Sequence, residues 1–379
     1  MNIMVLSAHT SSLFWFRMNM MQAFSERGHT VYAVGSEPEE EWAQKFSEKG
    51  IIYRQISVSR NGTNPLDDLK TYRSILELFK QIKPDKVFAY QAKAIVYGAL
   101  AAHSCKITEF YPLIAGLGSI FRGTGTKAQI LRSILTVQYK LAFKHSKAVI
   151  FQNEDDRSEM VSHGIVAKEK TRIINGSGVD LTRFTQAPVP EEARFIFVGR
   201  LIKDKGVREY LDACRILKKT HPQAECMLIG PFDSNPSAIK PEELEEYTKD
   251  GTVIYLGEQE DVRPYLRQAS VFVLPSYHEG TPKSVLEAMA TGRAVITTDV
   301  PGCRETVTDG VNGLLVGPKS AEAVAEAMRR LADGKDLCRN FGSAGRKIAV
   351  EKYDVNKVNA TIMDIMSISK EGEKEYVTV

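Results

Sequence analysis

Residues 271–287 read VFVLPSYHEGTPKSVLE, and they decide the fold because they join a buried strand to a helix. The apolar run Val271–Leu274 ends at Pro275, which is typical of a strand buried on both faces of a parallel sheet. Similar short apolar runs alternate with segments of helical period along the whole chain. This alternation predicts parallel sheets with helices on both faces, so the expected fold class is α/β.

Two glutamates of this stretch, Glu279 and Glu287, are predicted to face a ligand. Thr281 is expected to cap the helix and Pro282 to occupy its first position. Glu279 then lies on the loop after the strand, and Glu287 lies in the second helical turn. Ligands bind open α/β sheets at the carboxyl ends of strands, and a helix start favours an anion such as a diphosphate. Carboxylates beside a phosphate are suited to holding sugar hydroxyls. The alternative for Glu287 is a solvated glutamate on the helix surface.

The predicted elements fall into two halves of the chain. In the first half, strands are expected near residues 2–7, 29–35, 51–58, 86–90, 109–115 and 147–152, with helical patterns at 16–27, 65–82 and 128–145. In the second half, strands are expected near 195–198, 226–229, 252–256, 271–274, 294–298 and 314–316, with helices near 206–219, 282–291 and 319–333.

The length of 379 residues predicts two domains, because one ordinary core does not extend over so long a chain. A polar stretch with two prolines at 185–192 is typical of a linker. The predicted domains are therefore 1–186 and 187–355, both doubly wound and facing each other across a cleft. Residues 356–379 are expected to form a helix that packs back on the first domain and ends in a frayed tail.

The composition disfavours several classes of protein. There is no run of eighteen apolar residues, so we expect no transmembrane helix, and the first residues enter a strand without a basic signal-peptide region. The five cysteines form no C-x-x-C pair, which favours reduced thiols in a cytoplasm over disulfides or a zinc site. No G-x-G-x-x-G motif follows the first strand, which disfavours a nicotinamide enzyme. Interleaved acidic and basic residues give nucleic-acid binding little support.

A second motif, GRLIKDKG at residues 199–206, lies at the start of the second domain. Gly199 is expected to end a strand and Gly206 to begin a helix, with Arg200 and Lys205 on the loop between them. A guanidinium gives forked hydrogen bonds to phosphate oxygens, and an ammonium adds a mobile point charge. Alone, the motif also fits an exposed basic turn. Together with the spaced glutamates it favours a phosphate-binding function.

The combined motifs resemble the retaining glycosyltransferases of family 4, which have the GT-B fold. The resemblance also includes GVDLTRF at 178–184 and NGLLV at 312–316, and it covers essentially the whole chain. It implies that Arg200 and Lys205 bind the donor diphosphate, Glu279 the donor sugar and Glu287 the ribose, without a metal or other cofactor. The implied donor site comprises Gly199, Arg200, Lys205, Gly257, Val262, Glu279, Gly280, Thr281 and Glu287, of which Glu279, Arg200 and Lys205 are the expected catalytic residues.

The first domain departs from the family pattern. It has SAHTSS at 7–12 where many relatives have a glycine pair, and AGLGS at 115–119 where many have a histidine. A general base in that place is not supported, so the leaving phosphate is expected to take the acceptor proton. These departures resemble a bacterial subgroup that adds α-1,3-linked N-acetylgalactosamine to polyprenyl-diphosphate-linked sugars. The implied acceptor-binding residues are Ser11, Arg17, Arg60, Gly116, Gly118, Ser119 and Arg122, and Lys93 is a further candidate for the lipid diphosphate.

Three features raise the expectation of an anionic membrane partner. Residues 1–186 carry a net charge of +7 and residues 187–379 one of −4, which also fits mere solubility. A helical pattern over 127–147 is both basic and amphipathic, and it fits either an interfacial helix or a helix that faces the core. The apolar cluster Leu13–Phe16 fits either a lipid contact or packing under the sheet. We expect a cytoplasmic protein on the inner face of the plasma membrane.

The expected donor is a UDP-N-acetylhexosamine, with UDP-galactose as the next choice, and the expected acceptor is a lipid-diphosphate sugar. One alternative is an enzyme of the same fold that uses a small soluble acceptor, or a nucleotide-sugar epimerase. The other is a non-catalytic subunit that binds a nucleotide sugar within an assembly complex.

Overall fold

The computed structural model describes residues 1–58, 64–118, 121, 125–233, 235 and 237–369. Its internal contacts divide the chain into two compact units, Met1–Ser177 with Val355–Val379, and Gly178–Asp354. Within the described part of the chain, no helix is both long and apolar enough to cross a lipid bilayer.

The first unit is built on a parallel sheet. Its strands are β1 Asn2–Ser7, β2 Thr30–Gly35, β3 Ile52–Gln55, β4 Lys86–Tyr90, β5 Phe110–Ile114, β6 Val149–Phe151 and β7 Thr171–Ile173. Its helices up to the second unit are α1 Thr10–Ser25, α2 Glu39–Ser47, α3 Pro65–Ile82, α4 Ala92–Ser104, α5 Thr126–Lys144 and α6 Glu154–Ser162. The described strands lie in the order β3-β2-β1-β4-β5-β6-β7, so the strand order reverses between β1 and β4.

The second unit repeats this architecture. Its strands are β8 Arg194–Val198, β9 Glu225–Ile229, β10 Ile254–Tyr255, β11 Val271–Leu274, β12 Ala294–Thr298 and β13 Gly313–Val316. Its helices are α7 Val207–Lys218, α8 Pro241–Lys249, α9 Arg263–Gln268, α10 Lys283–Thr291, α11 Ala321–Asp333 and α12 Lys335–Lys352. The described strands are all parallel in the order β10-β9-β8-β11-β12-β13, with the reversal between β8 and β11. The chain then returns to the first unit as α13, Val355–Ile365.

Both faces of the first sheet are buried, as its apolar strands require. In β1, Met4 and Leu6 join one core cluster while Ile3 and Val5 join the other, because successive side chains of a strand point to opposite faces. The α13 residues Val358, Ile362 and Met363 pack into the second of these clusters with side chains of α1. The predicted α/β class with two doubly wound domains is therefore confirmed. Strand β7 was not predicted, because it has three residues and one of them is the exposed Arg172.

The predicted domain boundary between residues 186 and 187 lies inside the second unit. Phe184 is buried in the core of that unit. Arg293, which is fully buried, donates hydrogen bonds to the carbonyl oxygens of Ala187 and Pro188. The proline-bearing stretch is therefore fastened to the second sheet, and the two units divide between Ser177 and Gly178.

Candidate active site

The carboxyl edge of the second sheet gathers the motifs that the sequence singled out. Strands β8, β11 and β12 are parallel neighbours, so the loops that follow them emerge at one edge. Gly199 and Arg200 follow β8, Glu279 follows β11, and Gly302 follows β12. This edge lies beside the switch point of strand order, where open α/β sheets bind their ligands.

An ion pair joins the two motifs. The Nζ atom of Lys205 lies 2.5 Å from Oε1 of Glu279, although 74 positions separate the residues in the sequence. The hydroxyl of Ser276 donates a second hydrogen bond of 2.7 Å to the same oxygen. The Lys205 side chain is 22 % exposed and that of Glu279 is 12 % exposed, so the pair is partly shielded from water and still accessible.

Close backbone contacts hold this pair in place. Gly206 adopts a left-handed conformation at φ +70°, and a Cβ atom there would lie 2.0 Å from the carbonyl oxygen of Pro275. Gly302 has φ +83°, and a Cβ atom there would lie 2.1 Å from the carbonyl oxygen of Glu279. Only glycine fits these two positions without displacing backbone. The amide of Glu279 also donates to the carbonyl of Pro301 over 3.0 Å.

The nearby Cys303 is not a candidate nucleophile. It is fully buried below the loop that carries Glu279. Burial, together with the negative charge of Glu279, raises the pKa of the thiol to about 12. A thiol with so high a pKa has almost no thiolate at neutral pH, and the thiolate is the reactive species.

Arg200 lies at the same edge and is held by an acidic partner that the sequence did not predict. Its Nη1 atom lies 3.1 Å from Oδ2 of Asp233, on the loop after β9. The Arg200 side chain is 47 % exposed. An exposed ion pair of this kind is weak, so a phosphate could replace Asp233 as the partner of the guanidinium at small cost.

Glu287 lies in the second turn of α10, as predicted, and is partly buried. Desolvation raises the pKa of its carboxyl group, while the positive charges of Lys283 and Arg183 oppose this rise. Arg183 belongs to the GVDLTRF motif, so this motif lies close enough to Glu287 to affect its pKa. The helix itself begins one residue later than predicted. Pro282 occupies the cap position with extended backbone, so Thr281 is not the cap.

The loops after β9 and β10 complete this edge. Gly257 has φ +71°, and a Cβ atom there would have no neighbour within 4 Å. Its carbonyl accepts a 2.9 Å hydrogen bond from the amide of Gly230. Val262 precedes α9, and its carbonyl accepts from the amide of Leu266 over 3.0 Å. These two predicted donor-site residues therefore lie in the segment that connects β10 to α9.

The carboxyl edge of the first sheet carries a buried polar network. Ser7, at the end of β1, bonds to Ser12 over 3.1 Å and to the side chain of Gln91 over 3.2 Å. Ser12 also bonds to the hydroxyl of Tyr90 over 2.8 Å. Gln91 follows β4 directly and has φ +73° with ψ 141°, a strained conformation for a residue with a side chain. Strain of this kind persists where the surrounding structure enforces it, and it clusters at functional sites.

A histidine–carboxylate pair lies next to this network. Nδ1 of His9 donates to Oε1 of Glu37 over 2.5 Å, and the amide of Thr10 donates to Oε2 over 2.6 Å. Burial opposes ionisation of Glu37, but the hydrogen bonds from Thr10 and His9 outweigh it and lower the pKa to about 2. With Nδ1 of His9 engaged by Glu37, Nε2 is the ring nitrogen that is left for another hydrogen bond.

Arg17 is the most unusual of the predicted acceptor residues. It is only 3 % exposed, and its guanidinium lies over the rings of Phe88 and Tyr90 at 5.7 and 5.3 Å. Among the residues that the model describes, its buried Nε atom has no hydrogen-bond acceptor. Burial lowers the pKa of this group. A buried cation without an acceptor is costly to the fold, which suits a site that an anion completes.

The remaining predicted acceptor residues divide into three groups. Ser11 is partly buried in the first turn of α1, and Gly116 and Gly118 have left-handed backbone at φ +111° and +72°. Lys93 forms an ion pair with Asp68, whose Oδ1 atom lies 2.8 Å from its Nζ atom. Arg60, Ser119 and Arg122 lie outside the described residues.

Four contributors to these edges were missed by sequence reasoning. Ser276 was not predicted, and its position just after a buried strand was the available signal. Asp233 and Glu37 follow strands in the same way, but lone acidic residues on loops are common. The strain at Gln91 has no sequence signal. Within the described ranges, no group of three or more His, Cys, Asp or Glu side chains could hold a metal ion.

Comparisons with known proteins identify the family. Residues 3–153 match the model of glycosyl transferase 4-like domains, and residues 179–348 match that of glycosyl transferases group 1. The chain is 31 % identical over 370 residues to an N,N'-diacetylbacillosaminyl-diphospho-undecaprenol α-1,3-N-acetylgalactosaminyltransferase of Campylobacter jejuni. This alignment covers 94 % of the present chain and 96 % of the Campylobacter protein. The chain belongs to the family 4 glycosyltransferases.

Other glycosyltransferases agree with this assignment. The capsular polysaccharide glycosyltransferase CapM of Staphylococcus aureus is 24 % identical over 303 residues, which is 76 % of this chain and 77 % of CapM. The crystal structure of HepE from Anabaena, in complex with UDP and glucose, superposes with a TM-score of 0.79 at 18 % identity, covering 97 % of this chain and 99 % of that one. The latter similarity supports the GT-B fold. The family match and the full-length relative of 31 % identity show that the protein is an enzyme, a hexosyltransferase.

Proposed function

We propose that this glycosyltransferase moves an N-acetylhexosamine, such as N-acetylgalactosamine, from a UDP-linked donor to a polyprenyl-diphosphate-linked saccharide, with retention of configuration. The observation that carries the proposal is the Lys205–Glu279 pair at the switch point of the second sheet. The full-length similarity to an enzyme whose name specifies a diphospho-undecaprenol acceptor supports the choice of substrates.

Charge placement supports a role of the second unit in leaving-group departure. Breaking the bond between the sugar and the diphosphate leaves negative charge on the β-phosphate. Lys205 and Arg200 would stabilise that charge as it develops, which is the most effective form of electrostatic catalysis. On this proposal Glu279 exchanges its contact with Lys205 for hydroxyl groups of the donor sugar. The ion pair thus keeps both groups oriented before the donor binds.

Glu287 would bind the ribose of the donor. An ionised carboxylate accepts hydrogen bonds from two vicinal hydroxyls, and partial burial strengthens such bonds. The loops at Gly257 and Val262 would lie against the uracil. The backbone N–H groups of Gly280, Thr281 and Lys283 would approach the sugar and the diphosphate, as Pro282 has no N–H to offer.

The first unit would bind the acceptor. Arg17 offers a buried positive charge to a diphosphate, and Ser11, Gly116 and Gly118 lie on the elements around the same sheet edge. On this proposal Arg60, Ser119 and Arg122 belong to the same site. The acceptor proton would pass to the leaving phosphate on the same face of the sugar, which preserves the anomeric configuration. The lipid-linked substrate would bring the enzyme to the cytoplasmic face of an anionic membrane.

Two assays test the proposal. In a thermal-shift screen over nucleotide sugars, a UDP-N-acetylhexosamine at a hundred times its Kd should stabilise the protein by about 2.7 kcal/mol. Transfer should then be measured with a radiolabelled donor, using a polyprenyl-diphosphate saccharide in one reaction and soluble sugars in another. Glu279→Gln serves as the inactive control, and NMR of the product gives the anomeric configuration.

The outcomes separate the alternatives. Transfer to the lipid-linked acceptor with an α-linked product supports the proposal. Transfer only to soluble sugars would favour the same-fold enzyme with a small acceptor. Binding of a UDP-sugar without transfer to any acceptor would favour a non-catalytic subunit, and an inverted product would contradict the retaining mechanism.

A further inference from the structure

Helix α5 exposes a continuous apolar stripe. Ile130, Ile134, Val137 and Leu141 are 56 %, 50 %, 66 % and 44 % exposed. Their spacing of four, three and four residues places them on one face of the helix. The opposite face, which includes Tyr139 and Phe143, is buried in the core of the first unit. Single exposed apolar residues are ordinary, but a row of four along one helix marks an interaction surface.

Basic residues border this stripe. Lys140 and Lys144 are exposed on the same helix. At 100° per residue they lie on one flank of the stripe, next to Val137 and Leu141. An apolar stripe beside a row of lysines is the pattern of a helix that lies in the interface of an anionic membrane.

A cationic cavity lies at the C-terminal end of this helix. Its volume is about 320 Å³, and it is lined by Lys106, Lys144, Lys147, Lys170, His103 and His145 with no acidic side chain among the lining residues. It is remote from the carboxyl edge of the sheet, because His145 and Lys147 precede strand β6 while the candidate acceptor residues follow strands. The cavity is therefore distinct from the sites described above.

The charges of this cavity are only partly compensated. Lys170 donates to the carbonyl oxygens of Phe143, Lys144 and Ser146, at and just beyond the C-terminal end of α5. Lys147 pairs with Glu109 at 3.1 Å. For the ammonium groups of Lys106 and Lys144, by contrast, the described part of the chain provides no carboxylate partner within 4 Å.

Two imidazole rings also line the cavity. The rings of His103 and His145 stack with centroids 3.9 Å apart. Burial, and then the positive charges of His103, Lys144 and Lys170, lower the pKa of His145. An anion placed here would relieve this repulsion, and phosphate is the anion that lysine and histidine commonly bind.

We propose that the exposed face of α5 and the cavity at its end dock together on an anionic phospholipid bilayer. The apolar stripe would enter the boundary between headgroups and acyl chains, and the cavity would hold a headgroup phosphate. This proposal rests on the proposed function in one respect, since a lipid-linked acceptor requires the enzyme at a membrane. Charge favours lipid over a second copy of the chain, because a self-complementary contact would bring like lysines together.

Vesicle flotation of the full-length protein tests the proposal without donor or acceptor. The protein should float with vesicles of phosphatidylcholine mixed with phosphatidylglycerol, and not with phosphatidylcholine alone. Added salt should weaken the binding, because it screens the lysines. The variant Ile134→Ser/Val137→Ser and the variant Lys106→Glu/Lys144→Glu should each lose binding at least tenfold, as one lysine near an anionic surface contributes about fivefold.

Matched controls keep the result specific. Val311→Ser removes an apolar side chain that is 50 % exposed in the second unit, and Lys49→Glu reverses an exposed charge in the first unit. Both controls should bind vesicles like the unchanged protein. All variants should retain UDP affinity and the unfolding temperature, because the altered side chains are exposed or line an open cavity.

Three results would overturn the proposal. The first is flotation that neither pair of substitutions weakens. The second is equal binding to neutral and anionic vesicles. The third is a shift from dimer to monomer in the stripe variant, measured by light scattering, with no vesicle binding by the unchanged protein. Vesicle binding without sugar transfer would instead refute the proposed function alone, so the two failures are distinguishable.

Discussion

The ion pair between Lys205 and Glu279 gives the sharpest test of the candidate active site. Lys205→Ala removes the cation and leaves in place the 2.7 Å hydrogen bond that Ser276 donates to Glu279. Glu279→Gln keeps the size of the side chain and removes its charge. The double variant completes a thermodynamic cycle, which isolates the interaction between the two residues from their separate contributions.

The expected magnitudes follow from burial. Exposed ion pairs contribute at most about 1 kcal/mol, and breaking a buried pair costs about 3–5 kcal/mol. With exposures of 22 % and 12 %, we expect a coupling of about 2 kcal/mol in the ligand-free protein. For a unit of this size that corresponds to a fall in Tm of about 4–8 °C. A catalytic role adds a separate effect on kcat of about a hundredfold, because one charged group no longer stabilises the leaving diphosphate.

Calorimetric unfolding and single-turnover transfer should be measured on the same preparations. Lys203→Ala is the matched control, because Lys203 lies in the same 3-10 turn and is exposed. It should retain both kcat and Tm. If Lys205→Ala lowers Tm as expected and yet keeps kcat within fivefold, the pair is structural and the catalytic reasoning is refuted.

Four further predictions rest on particular contacts. Glu287→Gln should weaken UDP binding about tenfold by calorimetry while raising Tm, because it removes a desolvated charge whose hydrogen bonds a donor would use. Because the pKa of Glu287 is raised, this carboxylate takes up its proton at a higher pH than an ordinary glutamate does, and UDP affinity should therefore begin to fall at that higher pH on acidification. If Glu287→Gln shows the same dependence of UDP affinity on pH as the unchanged protein, this prediction is contradicted. Gly302→Ala should lower kcat more than tenfold and Tm by more than Gly251→Ala does, because both have left-handed backbone and only Gly302 meets the carbonyl of Glu279; equal effects would disprove the contact argument. Arg17→Met should raise the KM for the lipid-linked acceptor at least tenfold without lowering Tm, because it removes a buried cation for which the described part of the chain offers no acceptor; a fall in Tm with unchanged KM would make Arg17 structural.

Much of the fold was predictable because the local patterns are strong. Strands such as Val271–Leu274 are continuous apolar runs, and each is followed by a segment of helical period, so both sheets were expected nearly where they lie. The boundary between the units was less predictable. It depends on Arg293, whose contacts with the chain at Ala187 and Pro188 are distant in sequence and leave no local pattern.

The amino-acid sequence by itself determined the α/β class, the two units and the identity of the charged residues at the second sheet edge. Local periodicity and motif spacing carry that information, because each element forms from neighbours in the chain. Only the tertiary structure decided that Lys205 contacts Glu279, that the buried Arg17 finds no acceptor among the described residues, and that α5 leaves an apolar face exposed. Those properties depend on which distant segments pack together, and packing across a parallel sheet is set by the crossover connections rather than by any single stretch of sequence.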